Sequence, residues 1–369
     1  MKKIVLLLLS SLILWGCSDS GPSGSETEDF DRQAILENWA DNIILPAFES
    51  FAAETENLKT AANEFSATPN EQTLTDLREQ WLISYKSWQH VSMFEMGRAM
   101  DLRYRDNMNL YPVNSDQILE NIEEGSYNFE LPSQNSSQGF PALDYMLYGL
   151  GEDDASVLEF YTIDENSEAH RTYVSDLATR IDSLTGQVLE FWQNGFRDEF
   201  VNDSGNGANS SLNMMVNDYI FYYEKALRAG KIGIPAGVFS GSPLSDRVEG
   251  FYSRDFSKEL FMEALDASQN FFNGTHFGSE QNGESLRSYL EFLETTKNGE
   301  SLAVLINGQF ENARQEAENL NSNLAEQVET NNTQMLTTYD RLQQNVVFLK
   351  VDMLQALNIS VDYVDADGD

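Results

Sequence analysis

An apolar repeat of three or four residues runs through most of this chain and limits what it can fold into. It is clearest over 166–196, where Tyr173, Leu177, Ile181, Leu184, Val188 and Phe191 recur at helical spacing. Such a stripe turns one face of an α-helix toward a core. Some 30 residues of helix extend roughly 45 Å, a length that suits an elongated bundle better than a globin-like packing. An earlier stripe is Leu36, Trp39, Ile43, Ala47 and Phe51, with Pro46 expected to kink it. Thr68, Pro69 and Glu71 read as the N-cap, first residue and capping-box partner of the next helix. Its stripe is Leu74, Leu77, Trp81, Tyr85 and Trp88. A short helix is expected near 117–123. Others are expected near 211–231, 255–272, 284–296, 299–330 and 332–358, with a Gly/Pro-rich loop over 232–250. No strand-like alternation persists over six residues, so the expected fold class is all-α. The aromatic residues lie mostly on these stripes and are expected in the core.

The first residues bear on compartment. Lys2 and Lys3 precede an apolar run, Ile4 to Trp15, too short to span a bilayer, which needs about 20 residues. The run fits the apolar part of a secretory signal. Leu14-Trp15-Gly16-Cys17 resembles the lipobox of bacterial lipoproteins, which implies cleavage before Cys17 and its lipidation. Cys17 is the only cysteine in 369 residues, so it can form no intramolecular disulfide. Ser18 to Asp29, rich in Ser, Gly and acid, reads as a flexible tether. Ser18 is not the aspartate that signals inner-membrane retention in some bacteria. The expected location is therefore the cell envelope, at the outer membrane and not the cytoplasmic one, facing periplasm or exterior.

Charge excludes some partners. Sixty acidic side chains against 23 basic ones leave a net charge of −37. Nucleic acid and anionic lipid heads call for Lys and Arg, so neither is an expected partner beyond the lipid anchor itself. A surface this acidic favours solubility and draws cations; an adaptation to salt is the plainer reading. The expected organisation is a signal peptide (1–16), a tether (17–29), an N-terminal helical bundle (30–203) and a C-terminal bundle (204–369). The boundary falls in the polar, Gly-rich stretch 201–210, because about 350 mature residues exceed what one core usually holds.

Motifs for catalysis are sparse. His90, His170 and His276 are the only histidines, and none makes the spacing that brings two metal ligands onto one helix face. His276 lies in a loop with Glu280 four residues on, and reads as a surface residue. There is no Gly-x-Ser-x-Gly elbow and no phosphate-binding glycine loop. The C-terminal Asp365-Ala366-Asp367-Gly368-Asp369 opens like a calcium loop but lacks the later ligands, and reads as an acidic tail.

The informative segment is Gly139-Phe140-Pro141-Ala142-Leu143-Asp144-Tyr145-Met146-Leu147-Tyr148-Gly149. It reads as a short helix with Pro141 near its start and Gly149 at its end. Leu143, Met146, Leu147 and Leu150 share one face. Pro141, Asp144, Tyr145 and Tyr148 share the other, which would meet water or a neighbouring loop, or line a site.

This segment resembles the signature of the imelysin family, Gly-x-His-x-x-Glu followed by an aromatic, leucines and a glycine. Trp81 to Gly97, Lys225 to Gly237 and Phe348 to Met353 are similar to further family segments, in the family's order. The resemblance implies two helical bundles side by side, an envelope location and an association with iron uptake. It also implies, on another reading, a metal-dependent peptidase. Here Pro141 stands where the signature has histidine, and Asp144 where it has glutamate. Proline carries no ligand atom, and a catalytic zinc usually takes three protein ligands. The expectation is therefore a binding protein for a small ligand, a metal species or an uptake partner, without catalysis. Its site would comprise Gly139, Pro141, Asp144, Tyr145 and Tyr148, with Asp144 the candidate for a divalent cation or iron. Glu224 and Arg228 join it only if the two bundles meet there. The alternatives are a peptidase with other ligands, and a structural or interaction lipoprotein.

Overall fold

The stripes become helices in a computed structural model that describes residues 30–363. Cys17, the leader, the tether and the acidic tail 365–369 lie outside the described residues. No described helix is long and apolar enough to cross a membrane. The first helix, α1 (Arg32–Asn38), runs into a widened π turn, Trp39–Ile44, and then α2 (Leu45–Ala67). The chain does not break at Pro46: the widened turn places proline in the first regular turn of α2, where its missing N–H costs little. Next comes α3 (Glu71–Val91). Its cap is Asn70 paired with Thr73, not Thr68 with Glu71. The Asn70 amide oxygen accepts from the Gln72 and Thr73 N–H groups, and the Thr73 hydroxyl accepts from the Asn70 N–H. Asparagine is as good an N-cap as threonine, and Pro69 falls before the helix.

Two short turns, Arg98–Leu102 and Tyr104–Met108, lead to α4 (Ser115–Glu124) and to the signature helix, α5 (Gly139–Asp144). After α6 (Asp154–Thr162) the longest stripe forms α7 (Ser167–Phe191). Beyond 204 come α8 (Ser211–Phe221), a long widened helix Tyr222–Gly233, α9 (Ser257–Asn273), α10 (Leu286–Phe292), α11 (Leu302–Glu318) and α12 (Leu324–Val346). The stripe of 299–330 thus ends earlier than expected. The interruption near 331 survives as a kink inside α12 at Asn331 (φ −152°, ψ 71°). Strand is confined, among the described residues, to a two-residue hairpin, Thr296–Lys297 with Glu300–Ser301, and one isolated bridge.

In the N-terminal half, α2 packs against both α3 and α7; in the C-terminal half, α11 and α12 pack together and α12 packs on Tyr222–Gly233. The halves meet where α9 lies on α3. Side chains cross the divide too: the Asn38 amide donates to the Gly274 and Glu284 carbonyls. The described residues from Asp31 onward accordingly form one compact unit. Trp39, Trp81, Trp88, Tyr85 and Tyr173 are fully buried, as the stripes predicted, but Phe191, the last residue of the longest stripe, is exposed and its neighbour Trp192 is buried instead.

Candidate binding cleft

The site begins with an unusual backbone. Gly139 opens α5 at φ +76°, a left-handed value open to glycine. A Cβ here would lie 2.3 Å from the Met108 carbonyl oxygen, so the close approach it permits is to a neighbouring turn and not to a ligand. From Gly139 the chain makes one regular stretch and then a widened turn, Tyr145–Gly149. Widening strands carbonyls, and buried donors take them up. The Tyr161 hydroxyl donates to the Met146 carbonyl at 2.6 Å, and the Arg78 guanidinium to the Leu147 carbonyl at 2.7 and 3.1 Å.

The face carrying Pro141, Asp144 and Tyr145 does not meet water. Those three residues are buried, and so is the apolar face opposite. What covers them is the loop of the C-terminal half. The Tyr252 N–H donates to one Asp144 carboxylate oxygen and the Ser253 N–H to the other, both at 2.9 Å. The Tyr145 ring meets that of Tyr252 edge-on at 5.0 Å. Tyr148 is half-buried, with the Arg78 guanidinium 4.3 Å above its ring and Trp81 beside it; it does not line the cavity beside the loop. Burial pushes the Asp144 carboxyl up to about 7, against the pull of the two N–H donors.

Pro141 and Asp144 line a cavity of about 190 Å³ with Tyr111, Pro112, Val248 and Tyr252. Tyr111 and Pro112 also line a neighbouring cavity of about 320 Å³ that reaches Arg105, Lys225, Lys231 and Arg247. Between the halves runs a buried polar chain. The Lys231 ammonium pairs with Glu249 and donates to the Gln89 side-chain oxygen at 2.9 Å. Asn109 donates to Glu249 at 2.7 Å and accepts from the Tyr85 hydroxyl at 2.5 Å. Desolvation lowers the Lys231 pKa, and Glu249 opposes it. Lys231 falls in the segment 225–237 singled out above. Gln89 falls in the segment 81–97, also singled out; Glu249 and Asn109 carry no local signal, because only the meeting of the halves puts them together. Glu224 and Arg228 lie elsewhere. Arg228 donates to the Tyr339 hydroxyl at 2.6 Å, while Glu224 meets Lys350 at 2.9 Å and the Tyr363 hydroxyl at 2.8 Å. They build a buried network within the C-terminal half.

The metal implied by the signature does not fit here. Position 141 has no donor atom, and both Asp144 oxygens are directed at backbone N–H groups. Among the described residues no set of three His, Cys, Asp or Glu is grouped to hold an ion.

The family model described as Imelysin (Peptidase M75) matches residues 44–349. The chain belongs to the imelysin family. An imelysin-like protein from Psychrobacter arcticum has the same fold: TM-score 0.67, 17% identity, covering 91% of this chain and 99% of that one. A protein from Parabacteroides distasonis, described as an iron-regulated protein A precursor, gives a TM-score of 0.73 at 16% identity, covering 90% and 96%. In sequence, iron-regulated protein A of Synechococcus elongatus is 21% identical over 151 residues. That match spans 40% of this chain and 41% of the relative's length.

Proposed function

We propose that this imelysin-family chain is an envelope lipoprotein, anchored through Cys17 in the outer membrane, that binds a small ligand, a metal species or an uptake partner in iron-related nutrient uptake, without catalysis. The observation that carries this reading is the use made of Asp144. Both oxygens of its carboxylate accept from backbone N–H groups of the opposite half's loop, which supports a helix that shapes a cleft over one that offers its carboxylate to an ion. The cleft supplies what recognition needs: a concave space, aromatic walls and a few buried charges. Lys231, paired with Glu249, and Arg105, paired with Glu95 and Asp218, would form the polar wall of the site, and Tyr111 would line the ligand's path. The iron connection comes from the relatives described as iron-regulated.

The test has two arms. Native mass spectrometry and metal analysis of the chain, purified without chelator, are expected to show a retained small molecule or metal species. Lys231→Ala is expected to reduce its occupancy. Insulin and casein are expected to stay intact with zinc, manganese or iron added. Cleavage that a chelator abolishes overturns the reading in favour of a peptidase with other ligands. Occupancy unchanged by Lys231→Ala removes the cleft as the site.

A further inference from the structure

A further cavity between the halves, about 170 Å³, lies apart from the signature cleft. Three of the chain's eleven methionines line it: Met96, Met100 and Met214. Met96 precedes the short turn Arg98–Leu102 of the N-terminal half and Met100 lies within it, while Met214 belongs to α8. Asn217, Asp218 and Phe221 line the same space. Their offsets from Met214 put all four on one face of α8.

Hydrogen bonds tie the methionine-bearing elements to each other. The Glu95 N–H, next to Met96 in the chain, donates to the Asp218 carboxylate at 2.6 Å. The Arg105 guanidinium pairs with Glu95 at 3.0 Å and with Asp218 at 3.1 Å. On the other side, the Asn217 side chain donates to the Ser360 carbonyl at 3.1 Å and accepts from the Asp362 N–H at 3.2 Å. The Tyr363 ring meets that of Phe221 edge-on at 5.3 Å.

Methionine commonly fills gaps in a core. Met93, Met108, Met146, Met215, Met335 and Met353 do so here, each of them buried. The set at the cavity differs. Met100 is 54% exposed and Met214 half-buried, with Met96 buried beside them, so these side chains border an open space instead of filling one. A thioether sulfur is a soft, uncharged donor suited to copper(I), whereas calcium and magnesium take oxygen. Three rotatable bonds let each methionine adapt its sulfur to a shared ion. The surroundings favour a cation: Glu95 and Asp218 share one guanidinium, and Asp362, whose carboxyl is raised by burial, makes no ion pair among the described residues. No histidine or cysteine lines the space to draw a harder transition metal. We propose that this cavity binds a soft monovalent metal ion of the copper(I) class through the thioethers of Met96, Met100 and Met214.

The site is separate from the Asp144 cleft and does not rest on the reading given for it. The test uses the full chain carrying Cys17→Ser, which removes the one competing thiol, labelled with methyl-13C methionine. It is titrated with copper(I) under reductant, and in parallel with silver(I), which needs none. Three methyl resonances, assigned by single Met→Leu variants at 96, 100 and 214, are expected to move together and saturate at one equivalent. Competition with a chromogenic copper(I) chelator reads the affinity. Met100→Leu and Met214→Leu are each expected to weaken it at least tenfold, and the triple Met→Leu variant to abolish it. Met262→Leu, at a half-buried methionine outside the cavity, is expected to leave it unchanged. Leucine replaces methionine with little change of volume, and circular dichroism melts identify any variant that fails to fold. The absence of a saturable shift at these three methyls overturns the proposal. So do shifts spread evenly over the accessible methionines, or a folded triple variant that still competes for copper(I).

Discussion

Asp144 holds two opposed influences in one side chain. Its hydrogen bonds to Tyr252 and Ser253 favour the carboxylate, while burial favours the acid and wins, carrying the group to about 7 from its ordinary 3.8. Between those two values the folded chain keeps a proton that the unfolded chain releases. The stability this adds is full below about pH 4 and is lost as pH rises through about 7. The stability of the unmodified chain minus that of Asp144→Asn is therefore expected to fall between about pH 4.5 and 7.5 in denaturant titrations. A flat or rising difference contradicts the assignment. The Lys231–Glu249 pair makes a complementary case, since both side chains are almost wholly buried. Glu249→Gln strands an ammonium in the interior and is expected to cost about 3–5 kcal/mol. The double variant Lys231→Met/Glu249→Leu, which removes both charges, is expected to recover most of that loss in urea melts. If single and double variants are equally unstable, packing and not charge governs the site.

Helix ends and the turns between them separate what local chemistry sets from what packing sets. Asn70 caps α3 through local bonds alone, so Asn70→Ala is expected to cost about 1 kcal/mol, read as a lower denaturation midpoint with unchanged slope. The four-residue offsets of the apolar stripes were legible because burial of one helix face demands them. The cap of α3 was displaced by two residues because Thr-Pro-Asn offers several oxygen acceptors and sequence does not rank them. The entry to α5 was not legible. Its glycine is required by the Met108 carbonyl, which lies 31 residues earlier in the chain and close only in the fold. Gly139→Ala combines an unfavourable φ with that contact and is expected to cost more than the roughly 1–3 kcal/mol of strain alone. Thermal melts check this; a loss under 1 kcal/mol means the turn before α5 yields easily.

Taken as a molecule, the chain carries a net charge of −37, and folding brings those charges together. Self-repulsion disfavours the compact state, and salt at about 1 M shortens the screening length to about 3 Å. The midpoint of thermal unfolding is expected to rise by several degrees from low salt to about 1 M sodium chloride. A fall would show that surface ion pairs such as Arg197–Asp41 outweigh the repulsion. The all-α class, the helices and the family were readable from residue order, because a period of 3.6 and a short signature are local properties. That Pro141 brings no ligand atom was readable too, since a ring without a donor atom is the same ring in any fold. The partner of Asp144 was not readable. A carboxylate at a ligand position looks the same whether it faces an ion or two N–H groups 108 and 109 residues away. Only the packing of one half on the other decides that, by bringing a loop close enough to claim both oxygens. The same meeting of halves brings Met214 to one cavity with Met96 and Met100, a relation that no spacing along the chain encodes.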